Sequence, residues 1–396
     1  MIFDCDRHVI EPLAMWEEYT EKSILKNHPI RLESDNIEKQ LKRVLTHRIN
    51  VSLPPTFSIG DYPILSNWGD VIQIASALLK EERQQDIKRA VSPAGQLEAM
   101  DASSVHWAQI LPTFTSYIVN HNKLSTEGSL GYAKAYNRWL SDYCAHNTDR
   151  LLGVGIVSRH DSKRLKSQVE DIVNRGWSAI TIRPEPILGK SLGHPDYESF
   201  WQACEYHRIS VVFHGGTHLQ GATVGMDRFT NRFSLHACSH PMEAQMAFVT
   251  LLEAGVFERH PKLKFAFLEA GASWVPHWLW RLDNICYPEF PTLIKDNIKM
   301  PPSEYFKRQC WVAVEIGEPC LRQVVNSIGC EKLLYGSDYP HPDHSHLVNS
   351  DIAKQLPDLT ATERHCMLED NGKVFYGLIE DNSTKPTSQI LKKANI

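Results

Sequence analysis

Asp4-Cys5-Asp6-Arg7-His8 stands at the very start of the chain, directly after the apolar Met1-Ile2-Phe3. Side chains along a strand alternate between its two faces, so Asp6 and His8 point the same way at the strand's end. An oxygen donor and a nitrogen donor on one face are half of a divalent-metal site. Three later segments repeat a related pattern, a short apolar run closed by a ligand-type side chain and then small residues. They are Val211-Val212-Phe213-His214-Gly215-Gly216, Phe265-Ala266-Phe267-Leu268-Glu269-Ala270-Gly271 and Leu333-Leu334-Tyr335-Gly336-Ser337-Asp338. Each has a plain structural reading: His214 as a core histidine bonded to a carbonyl, Asp338 as a helix cap. A common pocket at the strand ends accounts for them jointly. The expected metal ligands are Asp6, His8, His214 and Asp338. Mixed N/O ligation suits Zn²⁺, Mn²⁺ or Fe²⁺, and one Zn²⁺ is the first expectation. Glu269 is placed to act as an acid/base group or as a further ligand.

The elements that must position these residues follow from short apolar runs at 2–5, 107–111, 152–157, 179–182, 210–213, 264–268, 311–314 and 333–335. Amphipathic stretches at 130–146, 161–175, 199–207, 241–255 and 320–328 lie between them and read as helices. Eight strands separated mainly by helices predict a parallel α/β fold, a (β/α)₈ TIM barrel. An open doubly wound sheet is the competing fold, but no Gly-rich phosphate turn follows an early strand. Residues 13–100 interrupt the rhythm and are expected to form a lid or interface over the barrel mouth, inserted after the first strand. The expected organisation is one barrel over 1–380 and a polar tail over 381–396.

Composition narrows the function. The chain has 396 residues, 42% hydrophobic and 22% charged, with net charge −5. That is an ordinary globular protein, with no electrostatic footprint for nucleic acid. No run approaches the roughly 18 apolar residues of a membrane span, and the start lacks the pattern of a signal peptide. Nine cysteines without a C-x-x-C pair predict reduced thiols in a cytoplasmic protein. The expected partner is a small-molecule substrate. The exposed helices and polar tail leave a homodimer open.

The whole chain outside the insertion resembles the amidohydrolase superfamily, specifically the amidohydrolase-2 group that includes aminocarboxymuconate-semialdehyde decarboxylase-like proteins. The resemblance is carried by Asp4-Cys5-Asp6-Arg7-His8-Val9-Ile10-Glu11-Pro12, Ala135-Tyr136-Asn137-Arg138-Trp139, Thr181-Ile182-Arg183-Pro184, Val212-Phe213-His214-Gly215-Gly216, Gly255-Val256-Phe257-Glu258-Arg259-His260-Pro261, Phe267-Leu268-Glu269-Ala270-Gly271-Ala272-Ser273-Trp274-Val275-Pro276 and Tyr335-Gly336-Ser337-Asp338-Tyr339-Pro340. It implies a TIM barrel with one divalent metal, and the family's ligands fall on Asp6, His8, His214 and Asp338. Asp6 stands where some relatives have His or Glu. Glu269 stands where the decarboxylases carry a catalytic histidine.

For that reason hydrolysis is the first reading: metal-activated water attacking an amide, lactam or similar carbonyl compound. Asp338 then accepts the water proton, as the resemblance implies, and Glu269 protonates the leaving group. His236 and His240 lie in Leu235-His236-Ala237-Cys238-Ser239-His240-Pro241. Pro241 argues against one helix running through both as a second metal site, so His240 is assigned to proton transfer. Arg183, His218, His236 and His341 are the candidates for binding substrate. The alternatives are non-oxidative decarboxylation of an aromatic or unsaturated acid, and a catalytically idle metabolite-binding barrel.

Overall fold

The computed structural model describes residues 1–32, 57–59, 62–63, 81–216, 221–229, 232–341 and 352–379. Its centre is the predicted barrel. The strands are β1 (Ile2–His8), β2 (Val105–Leu111), β3 (Leu151–Gly153 continuing as Gly155–Ile156), β4 (Ala179–Ile182), β5 (Ser210–His214), β6 (Phe265–Leu268), β7 (Cys310–Val314) and β8 (Leu333–Tyr335). Neighbours pair in parallel and in chain order, from β1–β2 round to β7–β8. Between β8 and β1 the contact is a parallel bridge of Arg7 with Tyr339, with Asp338 N on Asp6 O at 2.8 Å and His8 N on Tyr339 O at 2.7 Å.

Each strand has one face inward and one toward the helices, as period-two alternation requires. Phe3, Cys5, Leu111, Val154, Val212, Ala266, Leu268, Trp311 and Leu334 fill the interior. The alternate residues Val211, Phe213, Phe265, Phe267, Val312 and Leu333 meet the outer helices. The register of β1 on β2 slips between Asp4 and Arg7. Such a bulge re-aims the side chains beyond it, and here Asp6 and His8 follow it. Interior packing ends at the strand starts with a plug: Phe375 and Tyr376 enter the interior cluster, and Tyr376 Oη donates to Cys5 O at 3.2 Å.

The outer helices match the sequence reading closely. Thr126–Cys144 follows β2, Leu165–Asn174 follows β3, Glu198–His207 precedes β5, Pro241–Glu253 precedes β6 and Leu321–Ile328 precedes β8. Ser125 caps the first of these through Gly128 N at 3.1 Å. Further along that helix, Asn137 exchanges two hydrogen bonds with the backbone of Ile156, satisfying strand groups where β3 is interrupted.

The insertion after β1 is present as a set of short elements. Helices Leu13–Tyr19 and Lys22–Asn27 lie against the outer helix Thr126–Cys144, with Trp16 edge-on to Tyr132 at 5.5 Å. Three short strands, Ile30–Leu32, Phe57–Ile59 and Tyr62–Pro63, pair antiparallel. Helix Pro93–Ala102 then leads into β2. Residues 39–48, 71–80 and the tail 381–396 lie outside the described residues, and the run that continues from 80 forms the helix Glu81–Ala90. The described start of the insertion therefore packs on the barrel's flank.

Trp201 fastens the helix Glu198–His207 to the barrel. It is buried, edge-on to Phe265 at 5.8 Å and to Phe200 at 4.8 Å. Trp201→Ala is expected to lower folding stability by about 3 to 5 kcal/mol, read as a shift of the urea midpoint.

Candidate metal centre

Four functional side chains meet where β1, β5 and β8 end. His214 continues the inward face of Val212 and closes β5. The chain then turns through Gly215 and Gly216. Gly216 has φ of +129°, and a Cβ there would lie 2.8 Å from both Arg183 Nη1 and Tyr117 Oη. On the opposite side, a Cβ on Gly336 would lie 2.6 Å from Asp6 Cβ. Glycine at 336 is thus what lets the end of β8 approach the β1 ligands. Asp338 and Glu269 themselves adopt left-handed backbone, with φ of 49° and 47°. Strained backbone of this kind persists only where its surroundings over-determine it.

Asp6, His8, His214 and Asp338 are all buried, and each offers a ligand atom within 4.8 Å of the others. His8 Nε2 lies 3.0 Å from His214 Nε2, 3.2 Å from Asp6 Oδ1 and 3.3 Å from Asp338 Oδ1. His214 Nε2 lies 3.4 Å from Asp6 Oδ1. The other ring nitrogens face carbonyls: His8 Nδ1 is 2.9 Å from Pro112 O, and His214 Nδ1 is 3.2 Å from Gly215 O. A carbonyl oxygen can only accept, so each Nδ1 carries a proton and each neutral ring turns a bare Nε2 lone pair into the cluster. Asp6 Oδ1, buried beside them, accepts no hydrogen bond. Lone pairs facing one another in this way require either added protons or a cation. Without a cation, burial favours neutral His8, but the neighbouring Asp338 and Asp6 carboxylates override it and lift the ring's pKa well above its ordinary value. A divalent metal bound by the four donors supplies the same neutralisation, and the donor set fits one.

Residues around the ligands hold them in register. Asp4 takes Ser337 N at 2.9 Å and Ser337 Oγ at 2.6 Å, and pairs with Arg7 at 3.3 Å. It therefore ties β1 to the segment preceding Asp338. Glu11 accepts hydrogen bonds from the backbone of Thr113, Phe114 and Thr115 and from Thr115 Oγ1. That fixes the loop whose Pro112 carbonyl orients His8. His341 packs over the His8 ring at 4.2 Å between centroids, with Nδ1 2.8 Å from Asp338 Oδ1 and Nε2 2.9 Å from Thr113 Oγ1. Such partners orient a ligand and tune its basicity. Asp4, Glu11, Thr113 and Ser337 are absent from the residue set chosen on sequence. Asp4 opens the first motif and Glu11 follows it by three residues, beside the apolar Val9-Ile10.

The remaining expected site residues fall at different depths. Glu269 Oε2 lies 3.4 Å from His214 Nε2 and 3.2 Å from His240 Nε2. Burial and the nearby charge of Asp338 raise its pKa, but the imidazoles of His240 and His214 prevail and hold it below the ordinary carboxylate value. His240 Nδ1 meets Ser239 Oγ at 3.1 Å. His236 lies on the helix Arg232–Ser239, edge-on to His240 at 4.7 Å. Arg183 is buried below the turn after β5, donating to Gly215 O at 2.8 Å, Gly216 O at 2.5 Å and Glu185 Oε1 at 2.8 Å. The structure thus shows Arg183 holding the backbone that follows a metal ligand. His218 lies outside the described residues. A cavity of ≈ 460 Å³ adjoins Pro241 and Ala270, the residues directly after His240 and Glu269, and is also lined by Gly271, Trp274, Ile316 and Pro319.

The cluster, whose four donors could hold a divalent metal, lies at the C-terminal ends of the strands of a (β/α)₈ barrel, the face on which enzymes of this fold carry their active sites. Residues 4–378 match the amidohydrolase family, and the chain belongs to it. It is 25% identical over 254 residues to a 2-amino-3-carboxymuconate-6-semialdehyde decarboxylase of Dictyostelium discoideum, covering 64% of this chain and 68% of the relative. Among solved structures, an amidohydrolase from Mycobacterium avium subsp. paratuberculosis shares the fold with a TM-score of 0.76 at 22% identity, covering 95% of this chain and 99% of that one. A 5-carboxyvanillate decarboxylase from Novosphingobium aromaticivorans, with bound manganese, shares it with a TM-score of 0.67 at 15% identity, covering 95% and 97%. A 2,6-dihydroxybenzoate decarboxylase from Rhizobium does so with a TM-score of 0.61 at 18% identity, covering 74% and 91%.

Two variants test the centre by elemental analysis. The wild type is expected to hold about one equivalent of divalent metal per chain and His214→Ala to hold none, the donors being spread over three strands. His341→Ala, which leaves all four donors in place, is expected to weaken metal affinity about 10- to 100-fold, read by competition with a chelator.

Proposed function

We propose that this protein is a divalent-metal-dependent, non-oxidative decarboxylase of an aromatic or unsaturated carboxylic acid. Support comes from its decarboxylase relatives and above all from one contact, His240 Nε2 on Glu269 Oε2 at 3.2 Å. Hydrolysis was the first sequence reading because Glu269 occupies the position of a catalytic histidine. The contact removes that reason, since His240 brings an imidazole to the same place from another element.

The metal, when bound, would act as a Lewis acid toward the substrate's carboxylate and a neighbouring oxygen. The two carboxylate and two imidazole donors suit Zn²⁺ and Mn²⁺ alike. Glu269 meets the His240 ring at Nε2 and Ser239 meets it at Nδ1, so the ring is held in one orientation between two polar partners. As the bond between the carboxyl carbon and the skeleton breaks, its electron pair stays on the skeleton carbon and carbon dioxide departs. His240 is the group assigned to deliver a proton to that carbon, with the Glu269 carboxylate 3.2 Å from its Nε2 as the ring's charge partner. No electron is gained or lost overall.

A panel of hydroxylated benzoic and unsaturated dicarboxylic acids, assayed with the metal-loaded protein, tests the reading. Carbon dioxide release with one solvent deuteron incorporated per turnover is expected, and His240→Gln should lower kcat about 10²- to 10⁴-fold while leaving KM nearly unchanged. Turnover of amides or lactams with none of the acids would return the assignment to hydrolysis.

A further inference from the structure

Tyr339 follows the donor Asp338, is fully buried, and has each of its polar groups engaged. Its N–H donates to Ser337 Oγ at 3.1 Å, and its carbonyl accepts from His8 N at 2.7 Å. The Arg7 guanidinium lies 4.1 Å from the centre of its ring. Ala90, Ala99 and Ile10 pack around the same ring. The two alanines belong to the insertion helices Glu81–Ala90 and Pro93–Ala102, and their small side chains leave room for an aromatic ring. The hydroxyl donates to Asp86 O at 3.0 Å and lies 3.3 Å from Asp86 Oδ1.

The same pair of helices also grips His8. Gln96, fully buried, donates from Nε2 to His8 O at 2.8 Å and accepts from Arg7 Nε at 3.1 Å. The backbone of His8 is therefore held on both sides, its N–H by Tyr339 and its carbonyl by Gln96. The helix Glu81–Ala90 is itself fastened, since Ala90 O accepts from Ile10 N at 3.3 Å and from Tyr143 Oη at 3.2 Å. Yet neither helix contributes to the four-donor cluster, which is drawn from Asp6, His8, His214 and Asp338.

We propose that Tyr339 is a positioning residue of the metal centre, transmitting the fixed place of the insertion helix Glu81–Ala90 to the donors Asp338 and His8. The ring cannot slide or turn without losing its hydroxyl's anchor at Asp86, so the backbone at 338 and 339 inherits the position of the helix. Partners of this kind, one step removed from the metal, set how well its donors are aimed. The coupling runs in both directions: an ion that fixes Asp338 and His8 also fixes Tyr339, and through it the helix. The stretch expected to cover the barrel mouth thus ends as a foundation for the donors. The proposal rests on the metal centre and not on the reaction proposed for it.

The test uses the full chain, metal-free and loaded with Zn²⁺. Hydrogen–deuterium exchange, read by mass spectrometry, is expected to slow on loading in the peptides that carry donors and also in the peptide covering 81–90, which carries none. Tyr339→Phe keeps the ring and loses the hydroxyl. It should bind Zn²⁺ about 10-fold more weakly in competition with a chelator. At saturating Zn²⁺ its donor peptides should be protected and 81–90 should not. A tyrosine that only packs would leave the affinity at the wild-type value and alter exchange at 81–90 equally with and without metal, which would overturn the proposal. Protection of the donor peptides with no change at 81–90 in the wild type overturns it without recourse to a variant. Exchange that Zn²⁺ slows nowhere removes the metal centre itself, and the proposal with it.

Discussion

Charge balance at one point governs how the rest of this barrel is built. Two imidazoles with their protons turned outward and the Asp6 and Asp338 carboxylates converge on a space a few ångströms across. Left alone, lone pairs and negative charges so placed repel each other, and burial removes the water that would screen them. The surrounding structure resists that repulsion. The β1 bulge aims Asp6 and His8, Gly336 admits β8, Asp4 latches the two strands, and Glu11 fixes the loop that orients His8. A cation converts this enforced conflict into attraction.

The two ends of the barrel divide their tasks accordingly. At the strand starts, Phe375 packs at a tilt against Trp311, Tyr376 stacks on Phe3, and together they close the interior with aromatic surface. At the strand ends, polar groups are concentrated and bonded to backbone atoms one after another. Stability comes from burying apolar area at one end. Directed hydrogen bonds bring specificity at the other.

All eight strands were legible in the sequence because each is an apolar run short enough to be a buried strand and closed by a turn. The four donors were legible because each ends such a run. β1 is longer than its apolar run, Ile2–His8 rather than 2–5, because its polar residues pair with β2 and β8. Period-two reasoning cannot register a bulge. Asp4 and Glu11 act through partners at Ser337 and Thr113–Thr115, pairings that exist only after the barrel forms. The meeting of His240 with Glu269 was hidden for the same reason, since the two lie on separate elements joined by the helix Pro241–Glu253. Arg183 is one of the polar substrate-binding candidates of the sequence, and its burial carries a cost. Carbonyls of Gly215 and Gly216 and the carboxylate of Glu185 meet that cost here.

The donors are drawn from both extremes of the barrel's strand order, residues 6 and 8 at one and 338 at the other. A ribosome releases them in that order. During synthesis the growing chain can offer two donors, then a third, but the fourth emerges only when the eighth strand is made. A fragment that stops earlier also lacks Gly336 and Ser337, and with them the latch to Asp4. The complete set of four donors is therefore assembled only once the eighth strand has been made.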